Sequence, residues 1–132
     1  MTRLVVLASI VVSGCLSSSE IGEPLDEDLY YIGVPAEYAT ANDCFASSRH
    51  CSFALTLCHN GRAALRIGGV VMQGIYAMDD GIARGTIETN VLALDLATLS
   101  EPEGPMVPGI RWELDTEGRT TTQVYDTVDC QN

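Results

Sequence analysis

The sequence predicts an all-β protein, a small antiparallel up-and-down meander closed into a barrel or a two-layer sandwich and stapled by two disulfides. Short runs that alternate apolar with small or polar residues follow one another from residue 52 to residue 125, and a period of two is the mark of a half-buried strand. Turn pairs separate them, Asn60-Gly61 and Asp80-Gly81 above all, which is how antiparallel neighbours are joined. Cys44, Cys51, Cys58 and Cys130 form an even set in a domain whose size leaves a single core with limited stability, where covalent staples are common.

Tyr30-Tyr31-Ile32 is a candidate for an extra N-terminal strand, and Pro35 to Ser48 has the Ala, Glu and Tyr content for one or two helical turns. The first clear strand is Ser52 to Leu57. Asn60-Gly61 turns the chain into Arg62 to Ile67, and Gly68-Gly69 breaks that run before Val70 to Ala77. Asp80-Gly81 leads into Ile82 to Glu88, and Leu92 to Leu96 alternates cleanly. The Pro/Gly-rich stretch Ser100 to Gly109 is the one long loop, followed by Ile110 to Leu114, a turn at Glu117-Gly118, and Thr120 to Tyr125. Seven such strands cannot leave long edges exposed safely, and tight turns favour an up-and-down order over a Greek key. Phe53, Leu55, Leu57, Leu65, Ile67, Leu92, Leu94, Leu96, Ile110, Trp112 and Leu114 are the expected inward set. They are large enough to fill a barrel of roughly eight strands, so a solid core is expected, with function on the loops and Ser100 to Gly109 as the contact surface, a surface loop that contributes little to the core. The segment from Asn60 to Ile82 also resembles the turn rhythm of small lipocalin-like barrels, which implies the same architecture.

Ahead of the domain, Arg3 precedes the apolar stretch Leu4 to Val12, which ends in Val12-Ser13-Gly14-Cys15. The order of a positive start, a short apolar run and a small-residue site is that of a secretory signal, and nine residues fall far short of the roughly 20 that cross a bilayer. The four residues ending in Cys15 resemble the lipobox of bacterial lipoproteins. That resemblance implies cleavage before Cys15, a diacylglyceryl group on its sulfur and an acyl chain such as palmitate on its amino group. Two or more chains give a stable membrane anchor where one is marginal. Residues 1–14 are thus expected to be a lipoprotein signal peptide, 15–28 a lipidated N-terminus with a flexible acidic tether, and 29–132 a small β domain. Leu16, where the family's retention signal would place Asp, leans toward the outer membrane in a Gram-negative envelope.

After removal of Arg3 the chain keeps six Arg, no Lys and all 18 acidic residues, so its formal charge falls from -11 to -12. A surface so acidic is repelled by nucleic-acid phosphates and by anionic lipid headgroups, so no nucleic-acid partner is expected.

In an exported chain four cysteines read as two disulfides. If Ser52 to Leu57 is extended, Cys51 and Cys58 stand about 23 Å apart at roughly 3.3 Å per residue, whereas a disulfide tolerates about 7 Å. That excludes Cys51 to Cys58, and Cys44 to Cys130 with it. Cys44 to Cys51 with Cys58 to Cys130, or Cys44 to Cys58 with Cys51 to Cys130, both remain. Meander order favours the first, because it returns Cys130 to the Cys58 end of the sheet. His50-Cys51 and Cys58-His59 lack the close spacing of structural zinc sites, so no metal or other cofactor is expected.

The chemistry-bearing residues form no catalytic pattern. His50 and His59 flank the first strand at opposite ends as turn-adjacent surface residues, the cysteines have structural work, and Asp79-Asp80 and Glu101 to Glu103 sit in turns. No phosphate loop, Gly-x-Ser-x-Gly or His-Glu-x-x-His motif is present, and Asp26-Glu27-Asp28 is at most a weak cation site. The expectation is a non-enzymatic, envelope-anchored lipoprotein that binds an envelope or secreted protein or a small ligand. The alternative is an inhibitor of a secreted hydrolase such as a lysozyme or protease, since an acidic surface steers a basic enzyme. Replacing Cys15 with Ala is expected to shift the protein from the membrane fraction to a soluble or uncleaved form. Unchanged fractionation, with no acyl mass on the mature N-terminus, would contradict the lipobox reading.

Overall fold

The computed structural model describes residues 22–47, 51–118 and 130. Seven strands form one sheet: β1 (Leu29–Pro35), β2 (Phe53–Leu57), β3 (Arg62–Ile67), β4 (Val70–Asp79), β5 (Ile82–Ile87), β6 (Asn90–Asp95) and β7 (Ile110–Leu114). One short helix, α1 (Ala41–Ala46), lies between β1 and β2. Every pairing is antiparallel, in the order β6-β5-β4-β3-β2-β1-β7.

Hairpin chemistry builds the run from β2 to β6. β3 to β4, β4 to β5 and β5 to β6 are each joined by two residues. At the second of these joints Asp80 and Gly81 have φ of 54° and 83°, the paired positive values of a type I′ turn, whose twist matches that of the strands it joins. Asn60 shapes the β2–β3 turn by accepting from the Arg62 N–H at 3.0 Å.

The seventh strand departs from the expected meander. Ile110–Leu114 follows β6 in sequence but pairs with β1, Gly33 opposite Trp112 and Ile32 opposite Glu113. Strand direction alternates from β1 to β6, so β7, antiparallel to β1, runs parallel to β6. Two parallel strands need a crossover of about a dozen residues or more, and residues 96–109 supply it. The Pro/Gly-rich loop is therefore a strap that carries the chain from the end of β6 to the far end of β7. Leu96, Leu99, Met106 and Val107 on it pack against the main core, which corrects the expectation of a free surface loop that contributes little to the interior. The strap is also folded on itself: Asp95 accepts from the N–H groups of Ala97 and Thr98, Glu101 from that of Met106 at 2.9 Å, and Arg84 pairs with Glu103.

The inner face is a solid core of Tyr31, Leu55, Leu57, Leu65, Tyr76, Ile87, Leu92, Leu94, Ile110 and Trp112, in line with the expected inward set. Leu114 departs from that set: it ends β7 and is 45% exposed. β4 and β5 approach each other closely at two glycines. A Cβ on Gly74 would lie 1.9 Å from the Thr86 carbonyl oxygen, and one on Gly85 2.0 Å from that of Ile75. Glycine is what lets two backbones approach so closely at a barrel corner.

On the outer face α1 covers β1. Thr40 caps it by accepting from the Asp43 N–H at 3.1 Å, and Asp43 complements the positive helix start. Ala41, with Tyr38 and Phe45, packs on Ile32 and Val34. Both disulfides of the favoured pairing are present, Cys44–Cys51 with Cα atoms 5.5 Å apart and Cys58–Cys130 at 5.1 Å. The first ties α1 to the approach to β2. Thr120 to Tyr125, the last expected strand, lies outside the described residues.

Gly85→Ala is expected to lower stability by about 3 kcal/mol, the upper range for overpacking, because the obstacle is backbone. Gly69→Ala, with nothing within 4 Å of the added atom, should be close to neutral. Chemical denaturation of the two variants checks the contrast.

Candidate functional site

The polar groups that the fold brings together lie at the end of the sheet where β1 begins. Pairing of Leu29 with Leu57 sets the start of β1 beside the β2–β3 turn, so Asp28 meets His59 although 31 positions separate them. One Asp28 carboxylate oxygen accepts from the His59 N–H at 2.8 Å and lies 2.7 Å from its ring Nδ1. Partial burial alone would raise the Asp28 pKa, but the hydrogen bonds and attraction of His59 outweigh it and hold the carboxyl below its ordinary value. Beside the pair lie Cys58 and Cys130, both buried.

Tyr76 knits this end together. Its buried hydroxyl donates to the Cys58 carbonyl at 2.7 Å and accepts from the Leu25 N–H at 3.0 Å. Burial pushes the phenol of Tyr76 above its usual range, and that of Tyr31 as well, so both stay protonated near neutrality. Met78 donates to the Glu23 carbonyl at 2.7 Å, and Leu25 packs against the core. The stretch Glu23 to Asp28, which composition alone marks as tether, is thus attached to the barrel.

Two recesses lie elsewhere. A cleft of about 510 Å³ opens at the opposite end of the sheet, lined by Pro35, Phe53, Pro108 and Ile110 with Glu37 and Ser52 on its rim. Gly33 lies against it, since a Cβ there would strike Phe53 and Ile110. Deeper in the core the Trp112 indole N–H has no hydrogen-bond partner among the described residues. A smaller groove of about 160 Å³ runs between α1 and β7, with Thr40, Asn42, Glu113, Asp115 and Glu117 along it. Glu113 is partly engaged there, accepting from the Ala41 N–H at 3.3 Å and pairing with Arg111 at 2.8 Å.

Cys15, the residue expected to be lipidated, and His50 lie outside the described residues. His59 is a surface residue as expected, but its partner Asp28 was not visible in the sequence. Asp79 is in a turn-side ion pair with Arg84 at 3.2 Å, and Glu101 and Glu103 hold the strap, so these carboxylates have structural partners. Comparison with protein-family models, with curated proteins and with solved structures finds no match in any of the three.

The Asp28–His59 pair generates a pH prediction. A carboxyl whose folded pKa is depressed contributes stability above its unfolded pKa and loses it as pH falls through the folded value. Asp28→Asn is therefore expected to cost roughly 0.5 kcal/mol at neutral pH, as for a largely exposed pair. That difference should shrink toward zero below about pH 4, as measured by urea unfolding across pH.

Proposed function

We propose that this chain is a non-catalytic lipoprotein of the cell envelope, anchored through Cys15, whose β-barrel domain acts by binding a partner protein or a small ligand. The observation that carries the anchor is Val12-Ser13-Gly14-Cys15 behind a short apolar run. Binding is supported by the apolar cleft at the barrel mouth, a concave recess of the size that takes small ligands or a partner's side chain. The strap is not the contact surface in this reading, because its apolar residues belong to the core. The catalytic candidates are engaged structurally: two cysteine pairs in disulfides, His59 on Asp28, and two tyrosines in the core.

A second reading, inhibition of a basic secreted hydrolase, is favoured by the groove that sets Glu113, Asp115 and Glu117 in a row beside α1. A protruding Arg or Lys of such an enzyme would meet carboxylates there, and a net charge of this sign would speed encounter.

One experiment separates them. The domain, added in slight molar excess to a basic lysozyme, should leave its muramidase rate unchanged if the first reading holds. In that case capture from envelope extract should be weakened at least tenfold by Phe53→Asp at the cleft. A dose-dependent loss of muramidase activity that fades with added salt would instead establish the inhibitor.

A further inference from the structure

The end of the barrel that holds Asp28 and His59 also brings three potential metal-ligating side chains to one point. The Sγ atoms of Cys58 and Cys130 and a carboxylate oxygen of Asp28 all lie within 4.8 Å of one another. With the disulfide formed, both sulfurs are spent on each other. The geometry points to an alternative state: when the Cys58–Cys130 bond is reduced, these two thiolates and Asp28 form a zinc-binding site, so that disulfide and metal are exchangeable closures of the same joint.

Zinc binds thiolate sulfur at about 2.3 Å and carboxylate oxygen at about 2.0 Å in a tetrahedron. Its sulfurs then stand roughly 3.8 Å apart, a separation that the 5.1 Å between the two Cα atoms permits. Two sulfurs and one oxygen suit a borderline-soft divalent ion better than calcium or magnesium, which take oxygen alone. His59 does for Asp28 what outer partners of metal ligands do: its backbone and ring hold one carboxylate oxygen, which fixes the group's orientation. Asp28 is the partly exposed member beside two buried cysteines, so it marks the side from which an ion arrives. Three protein ligands leave the fourth position to water.

The exchange balances. A dithiol gives two electrons and two protons to the Cys58–Cys130 bond and leaves as its own disulfide. The divalent ion then displaces both thiol protons to solvent, so uptake strengthens as pH rises. Oxidation by a small-molecule disulfide reverses the sequence: that disulfide takes the two electrons with two protons from solvent and leaves as thiols, while Cys58 and Cys130 rejoin and release the ion.

The test uses the full chain, reduced with a phosphine that does not compete for metal as a dithiol does, and titrated with Co²⁺. The expected result is one equivalent bound, with a thiolate-to-cobalt charge-transfer band that zinc abolishes by displacement. The band should survive Cys44→Ala with Cys51→Ala, and Asp28→Asn should weaken binding at least tenfold. If the reduced, metal-free chain unfolds, one equivalent of zinc should restore its β-sheet circular dichroism. A reduced chain that neither binds cobalt nor refolds with zinc would overturn the proposal. So would undiminished affinity in Asp28→Asn, or a band that requires Cys44 and Cys51.

Discussion

The free backbone edge of β1 has to be paired, because β1 lies on the core and its outer N–H and C=O groups would otherwise have no reliable partner. The strand that pairs it is β7, the last described strand in sequence. Placing β7 there keeps the cyclic order of an up-and-down barrel but makes β6 and β7 run the same way. A tight turn cannot join two strands that run the same way, so fourteen residues, 96–109, must return the length of the sheet. The open side is consequently closed by side chains of the strap, Leu99, Met106 and Val107 among them, in place of a ladder. The Asp95 turn, the Glu101 contact to Met106 and the Glu103 pair with Arg84 all hold that cover to the end of the sheet from which it leaves.

Curvature has a similarly local source. Seven strands with large inward side chains would splay unless the sheet coils, and Gly74 opposite Ile87 with Gly85 opposite Tyr76 removes the Cβ atoms that would hold β4 and β5 apart. Tyr76, opposite Gly85, has a hydroxyl that reaches the Cys58 carbonyl and the incoming Leu25 N–H. One phenol thereby links the N-terminal approach, the β2–β3 turn and β4, and the disulfide adds Cys130 to that joint.

The hairpins were legible because each is fixed by a few adjacent residues: Asn60-Gly61, Gly68-Gly69 and Asp80-Gly81 punctuate alternating runs, and β2 to β6 fall within about two residues of where the sequence puts them. β1 was only partly legible. Ile32 and Val34 are buried under α1 while Tyr31 faces the core, so burial on both faces erases the alternation; Gly33 and Pro35 lower its strand character further. The placement of β7 is a long-range fact. Nothing in Ile110 to Leu114 distinguishes pairing with β6 from pairing with β1, and the length of the preceding loop was the one available sign. The disulfide pairing could be narrowed because extended geometry excludes pairs by distance. The Asp28–His59 contact could not be anticipated, since it exists only through the register of β1 on β2.

Asymmetry between the two ends of the barrel bears on how such a domain would work at a membrane. Glu23 joins the sheet beside Met78, at the end that carries Asp28, His59 and the Cys58–Cys130 bond. With Cys15 lipidated as proposed, the anchor lies only eight positions from that attachment, a reach of at most about 28 Å for an extended chain. On that proposal the Asp28 end would stay close to the bilayer. The apolar cleft between Pro35 and Ile110 lies at the other end and would then face whatever approaches from the aqueous side. A partner would thus meet the cleft first, while the joint that closes the barrel, as disulfide or as metal site, sits on the sheltered side, where its state can alter the domain's stability without touching the recognition surface.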